Sequence, residues 1–330
     1  MKKLLLTLVA ALAGTGLRAA QDNTVEIVYN NTTATVIIAS NISEYVTDAS
    51  DGASHVKLTQ SSSVDDKVGE ITYILSGTSA DGEFFLNGSY KATIQLNGLT
   101  LTNPEGPAIN IQDGKRIKLS MKDGTTSTLV DGANDDYNGC LHCKGHLELK
   151  GKGTLNVTGN SRHAVYSKEY FEIKNSTLNI LGAVKDAIHC KQYFYQESGT
   201  INITSAGDDG IQVELKDSLS TGVTKDHDDE DTGNFYQVNG TLNISGYAGK
   251  AIKADGTITY TGGKQNFDKT DTQENAAAGI AALACEENSA TDGTYDLLGR
   301  RTASATHRSH TPGLILIKKG NKTTKKQIIK

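Results

Sequence analysis

The sequence predicts an all-β protein, a parallel β-helix with about 23 residues per coil and a small β-rich C-terminal tail. Three observations predict it. A pentapeptide recurs as Gly153–Val157 (GTLNV), Ser176–Ile180 (STLNI), Gly199–Ile203 (GTINI) and Gly240–Ile244 (GTLNI), at steps of 23, 23 and 41 residues. The last step is one period plus an insertion of 18 residues, so the register survives on either side of it. A second apolar ladder keeps step with the first: His163–Ser167, Asp186–Cys190, Asp209–Val213 and Lys250–Ala254. Each unit also holds short runs of alternating apolar and polar residues, too short to bury a face without stacking on a neighbour.

At the N-terminus, Lys2 and Lys3 precede the apolar run Leu4–Leu17 and the small-residue stretch around Ala19 and Ala20. This is the pattern of a secretory signal peptide over residues 1–20, with a core too short to span a bilayer. No Cys follows the core to suggest a lipoprotein.

Residues 21–265 hold the coils. Pro107–Ile111 and Gly139–Cys143 extend the second ladder upstream, and Leu147–Leu149, Phe171–Ile173, Tyr193–Tyr195 and Tyr236–Val238 supply a third strand per coil. About ten coils fit between residues 25 and 265, the upstream ones irregular. An antiparallel sandwich gives no reason for like residues to recur every 23 positions. Alternation points Leu155, Val157, Leu178, Ile180, Ile201, Ile203, Leu242 and Ile244 inward, with Leu141, Val165, Ile188, Ile211 and Ile252. It points stacked Thr and Asn rows outward, which either bond along the solenoid or grip a ligand. Cys143 and Cys190 fall in one inward row, two coils or about 9.6 Å apart, too far for a disulfide.

Residues 266–294 read as a linker and 295–330 as a separate tail. Residues 295–330 carry nine Lys or Arg against one acid, Asp296, and residues 1–20 carry three cations. The net charge of −5 therefore leaves −16 on residues 21–294. A body so acidic repels nucleic acid, and it meets an anionic polymer only through a cation.

Cation ligands are at hand. Asp186, Asp208 and Asp209 fall at the bend before the second ladder on adjacent coils, and oxygen clusters suit Ca²⁺ at ~2.4 Å per ligand. The bend Asp208-Asp209-Gly210 also reads as an ordinary turn. The insertion contributes Asp226, Asp228, Asp229, Glu230 and Asp231, either a solvated acidic loop or further calcium ligands. Lys250 sits at the same bend one coil on, either as a base that removes a proton alpha to a uronate carboxylate beside the cation or as an ordinary surface lysine. The outward row His142, Tyr166, His189, Gln212 and Lys253 mixes rings and polar groups, as a glycan track does and as a solvated sheet face also does.

These coils, bends and the acidic excursion Asp226–Asn234 resemble, over roughly residues 70–262, a bacterial carbohydrate-binding β-helix family whose clostridial member binds cellulose and polygalacturonate. The resemblance implies a right-handed parallel β-helix with bound Ca²⁺, similar in shape to pectate lyases but binding rather than cleaving. The lyase pattern matches Asp186, Asp208 and Asp209 and departs at Gln212, where it has an acid. The tail, with Tyr295–Arg301, Pro312–Ile317 and Lys325–Lys330, resembles the sorting tail of secreted Bacteroidetes proteins. It implies outer-membrane secretion machinery as a partner and a secreted or cell-surface location. The expectation is a monomeric, calcium-dependent polysaccharide-binding protein, with a calcium-dependent lyase using Lys250, or a structural and adhesive surface protein, as alternatives.

Overall fold

A computed structural model describes residues 20–134, 136–215 and 231–268, together with the strands Thr272–Glu274, Gly293–Tyr295, Arg301–Thr302, Gly313–Lys319 and Lys322–Ile328. Residues 1–19, Cys285 and most of the acidic insertion lie outside the described residues. The chain divides into two units, residues 1–277 and 278–330. Among the described residues the only helical element is the 3₁₀ turn Ser40–Ile42.

The first unit is a parallel β-solenoid. Its ladder Z stacks His55–Gln60, Glu83–Asn87, Ile109–Ile111, Gly139–Cys143, His163–Ser167, Ile188–Lys191, Ile211–Glu214, Ile252–Ala254 and Thr272–Glu274. Ladder X stacks Ile117–Met121, Leu147–Gly151, Phe171–Ile173, Tyr193–Gln196, Asn234–Gln237 and Ile258–Tyr260. Ladder Y stacks Thr126–Asp131, Thr154–Gly159, Thr177–Ala183, Thr200–Ile203, Thr241–Ile244 and Lys264–Phe267. One long strand, Ala92–Asn103, pairs with both X and Y and joins them into a single sheet.

The repeat sets the register. Leu155 pairs with Leu178, Leu178 with Ile201, and Ile201 with Leu242 across the insertion, so the inserted residues leave the ladder untouched. The inward positions read from alternation are buried, and Phe171, Phe194 and Phe235 stack along the axis with ring centroids 5.2 and 4.7 Å apart. Outside, the Asn row closes into an amide ladder. Asn179 donates to Asn156 at 2.8 Å, Asn202 to Asn179 at 2.8 Å, Asn243 to Asn202 at 2.6 Å and Asn266 to Asn243 at 2.6 Å. The row is thus structural, each of Asn179, Asn202 and Asn243 spending one donor and one acceptor on its neighbours.

Glycine in the repeat has a backbone cause. Gly199 and Gly240, where X turns into Y, hold φ of 92° and 90°. In the coil that carries Ser176, the left-handed residue is instead Asn175, at φ 63°.

Three expectations change. Among the described residues ladder Z carries nine parallel strands, eight of them between residues 25 and 265, rather than about ten coils, because the first segments add antiparallel partners: Thr24–Asn30, itself parallel to Ile71–Ser79, pairs antiparallel with Thr33–Ile38, and Val46–Asp48 with His55–Gln60. Such a cap shields the open end of the stack. The third strand around Tyr236 begins at Asn234, with Phe235 inward and Val238 38% exposed, so the Tyr236–Val238 alternation is shifted by one. The solenoid also continues past residue 265, since Lys264–Phe267 joins Y and Thr272–Glu274 joins Z. In the second unit, four strands form an antiparallel sheet in the order Arg301–Thr302, Gly293–Tyr295, Gly313–Lys319, Lys322–Ile328.

Candidate functional site

The site lies where the chain bends from ladder Y into ladder Z. Stacking aligns Ile188, Ile211 and Ile252, so Asp186, Asp209 and Lys250 hold the same bend position on three coils. The Asp209 amide donates to Asp186 Oδ1 at 3.0 Å, and the Lys250 amide donates to Asp209 Oδ1 at 2.7 Å. Each carboxylate therefore caps the backbone of the next coil, which fixes its direction. Asp186 and Asp209 are buried, Asp208 is exposed, and one oxygen from each lies within 4.8 Å of the others.

The three residues named from the sequence are thus together, and their donor set fits a hard cation. Asp209 Oδ2 is buried without a hydrogen-bond partner and has Lys253 Nζ at 3.5 Å. Burial raises the Asp209 pKa, against the Lys250 amide that lowers it, and the charges of Asp186 and Asp208 raise it further. A divalent ion at this oxygen cluster removes that repulsion.

On its other side Asp186 meets two histidines. Its Oδ2 is 2.9 Å from His189 Nδ1 and 3.3 Å from His163 Nδ1, and His189 Nε2 is 3.3 Å from Glu214 Oε2. Burial alone depresses the His189 pKa, but Asp186 and Glu214 outweigh it and the net shift is upward. The bond from His189 in turn holds Glu214 down at about 2.

The row His142, Tyr166, His189, Gln212, Lys253 is in register as expected. Its exposure is not as a solvated face or an open track requires. His142, Tyr166 and His189 are buried, because Tyr166 stacks on His142 at 5.3 Å and on His189 at 5.5 Å, and the Tyr137 ring packs edge-on to His142 at 5.8 Å. Their ring faces are spent on one another, which leaves Gln212 and Lys253 as the half-exposed members. Gln212 Nε2 donates to Glu214 Oε1 at 2.8 Å. Lys250 is half-buried with its amide on Asp209. Of the loop acids, Asp226, Asp228, Asp229 and Glu230 lie outside the described residues, and half-buried Asp231 stands at the edge of that gap.

Sequence reading missed a cleft of about 780 Å³ at the opposite end of the Z strands, where the chain turns into ladder X. Arg116, His146, Tyr170 and Tyr193 precede the paired inward residues Ile117, Leu147, Phe171 and Phe194, so they form a row one coil apart. The Tyr170 ring stacks on His146 at 4.2 Å and on Tyr193 at 4.8 Å. Glu148, nearly buried, accepts from the Tyr170 hydroxyl at 3.2 Å and lies 2.5 Å from Lys150 Nζ and 3.8 Å from Arg116 Nη1. His146 Nε2 is 2.8 Å from Glu169 Oε2. The repeat itself was the available signal, since these four residues share one offset from an inward position.

The fold defines the chain as a parallel β-solenoid, with carboxylates at one end of ladder Z and a polar, ring-lined cleft at the other. The chain belongs to the carbohydrate-binding domain-containing protein family, whose match runs over residues 54–320. A carbohydrate-binding domain-containing protein of Acetivibrio thermocellus is 25% identical over 103 residues, 28% of this chain and 36% of the relative. That aligned stretch spans about a third of the relative's length. Among solved structures, the polysaccharide lyase-like protein from C. thermocellum, as a gadolinium derivative, matches with a TM-score of 0.53 at 21% identity. The match covers 78% of this chain and 98% of that one, and it shows the fold.

Proposed function

We propose that this is a secreted or cell-surface polysaccharide-binding protein that holds Ca²⁺ at Asp186, Asp208 and Asp209 and through it binds uronate-containing glycans. Family membership supports the polysaccharide. The observation that carries the calcium is the convergence of three carboxylates from adjacent coils, one exposed and one with a buried oxygen that makes no hydrogen bond and has Lys253 Nζ at 3.5 Å. A body of charge −16 needs such an ion to meet an anionic chain, and Lys253 at 3.5 Å from Asp209 adds a cation beside it. The signal-peptide pattern of residues 1–20 and the basic tail support export and surface attachment.

The test is native electrophoresis of the body in gels containing polygalacturonate, with Ca²⁺ and then with chelator, beside Asp208→Ala/Asp209→Ala. Retardation that needs both the ion and the aspartates is the expected result; retardation indifferent to both overturns the calcium bridge. Unsaturated product that vanishes in Lys250→Ala is the outcome that moves the reading to a lyase.

A second contact, for neutral sugars, is favoured by the cleft. Its walls balance three carboxylates, Asp66, Glu148 and Glu169, against three fixed cations, Lys91, Lys115 and Arg116. Such a lining suits hydroxyl groups, which donate to carboxylates and accept from cations, better than it suits a net charge of either sign.

A further inference from the structure

We infer that His163, Asp186 and His189 form a site for a divalent transition metal of the Zn²⁺ type, adjoining the oxygen cluster and sharing Asp186 with it. All three are buried, and their ligand atoms lie within 4.8 Å of one another. The Asp186 Oδ2 distances of 2.9 and 3.3 Å to the two Nδ1 atoms are close to the ~3.3 Å edge of a tetrahedron with ~2.0–2.1 Å bonds. Two imidazoles and one carboxylate are the donor set that such ions prefer, whereas Ca²⁺ takes oxygens alone.

Two further observations point to an ion. His163 is only 4% exposed, yet its Nδ1 is a buried polar atom with no hydrogen-bond partner, although it is aimed at Asp186. A metal ion supplies the missing partner. The surroundings also have the form of an outer shell: His189 turns its second ring nitrogen to Glu214 at 3.3 Å, and the Asp209 amide holds Asp186 Oδ1 at 3.0 Å. Ligating histidines pair their free nitrogen with a carboxylate in this way, and the ligating carboxylate is itself hydrogen-bonded. Asp186 and Glu214 together bring two negative charges to a divalent ion.

Asp186 is shared with the proposed calcium site; its Oδ1 accepts the Asp209 amide and its Oδ2 faces the two histidines. The two sites can therefore be separated by variants that leave Asp186 in place. His163→Phe keeps a ring beside His189, whose centroid is 4.5 Å away, and removes only the nitrogen donors. His163→Gln is a second variant that leaves no aromatic ring.

The experiment is equilibrium dialysis of the protein against Zn²⁺ in the presence of excess Ca²⁺, with Co²⁺ substitution read by visible absorption, on wild type, His163→Phe, His163→Gln, Glu214→Gln and Asp208→Ala/Asp209→Ala. Expected are one Zn²⁺ bound by wild type, an intense tetrahedral Co²⁺ spectrum, and loss of both in the His163 variants at unchanged circular dichroism. Affinity falls about 10–100-fold in Glu214→Gln, and the double aspartate variant keeps the site. No Zn²⁺ retained by wild type, or Zn²⁺ retained equally by both His163 variants, overturns the assignment whatever the Ca²⁺ and polygalacturonate results are.

Discussion

The Asp209 amide donates to the Asp186 carboxylate one coil back, at 3.0 Å from Oδ1, while the other Asp186 oxygen is 2.9 Å from His189 Nδ1. One buried side chain thus anchors the backbone of the next coil and holds a histidine ring. Asp186→Ala leaves the Asp209 amide and His189 Nδ1 without their acceptor inside the protein, while His189 Nε2 keeps Glu214, and is expected to cost about 3–5 kcal/mol. Exposed Asp208→Ala should stay within about 0.5 kcal/mol in the absence of calcium. Urea unfolding of the two variants checks this, and equal losses would contradict the asymmetry.

Two buried groups pull stability in opposite directions with pH. Burial, and then Lys144, holds His142 down at about 4, below its ordinary 6.5. The unfolded chain takes up a proton that the native state refuses, so this contribution is full above pH 6.5 and is lost as pH falls toward 4. Burial pushes Asp131 up to about 6 from 3.8, so its contribution is full below pH 3.8 and is lost as pH rises through 6. Relative to wild type, His142→Gln should gain stability as pH falls from 6.5 to 4, and Asp131→Asn as pH rises from 4 to 6. Each slope approaches about 1.4 kcal/mol per pH unit. Urea midpoints across that range give both slopes, and parallel curves for variant and wild type would refute the assignment.

The Asn ladder is expected to act through neighbours. Asn202 donates to Asn179 at 2.8 Å and accepts from Asn243 at 2.6 Å, so Asn202→Ala breaks two amide bonds. A loss of about 1–3 kcal/mol follows. Asn266, exposed at the end of the row, has its Nδ2 on Asn243, and Asn266→Ala should cost less. Thermal denaturation of both variants decides, and an equal effect would mean that the ladder adds nothing beyond its single contacts.

The strands and their register were legible because stacking turns a sequence period into contact: residues 23 apart, such as Leu155 and Leu178, become neighbours. The aspartate cluster was legible for the same reason. Exposure was not, since alternation says which face His142 and Tyr166 take but not that Tyr137 and their mutual stacking bury that face. The site at His163, Asp186 and His189 escaped although His163 and Asp186 share one ladder position 23 residues apart, because that position changes residue type from coil to coil and His189 comes from another row. In the cleft row, Arg116, His146 and Tyr170 share a position but not a residue type, and a search for like residues passes over them.

That cleft also offers the cleanest test of a binding surface, because two of its glycines differ in what they can accept. A Cβ on Gly114, which lines the cleft, meets nothing within 4 Å, whereas one on nearby Gly145 would sit 2.0 Å from the Lys115 carbonyl oxygen. Gly114→Trp should therefore fill the cleft without disturbing the coils, and Gly145→Ala should destabilise the protein by a couple of kcal/mol or more as backbone is forced apart, about the scale of other overpacking changes. If neutral glycans lie in the cleft, Gly114→Trp abolishes retention on a neutral polysaccharide gel such as galactomannan in chelator while its melting temperature is unchanged. Calcium-dependent retention on polygalacturonate should survive in the same variant, since the aspartate cluster is at the other end of the Z strands. Undiminished neutral-glycan retention in Gly114→Trp would place those sugars elsewhere on the solenoid.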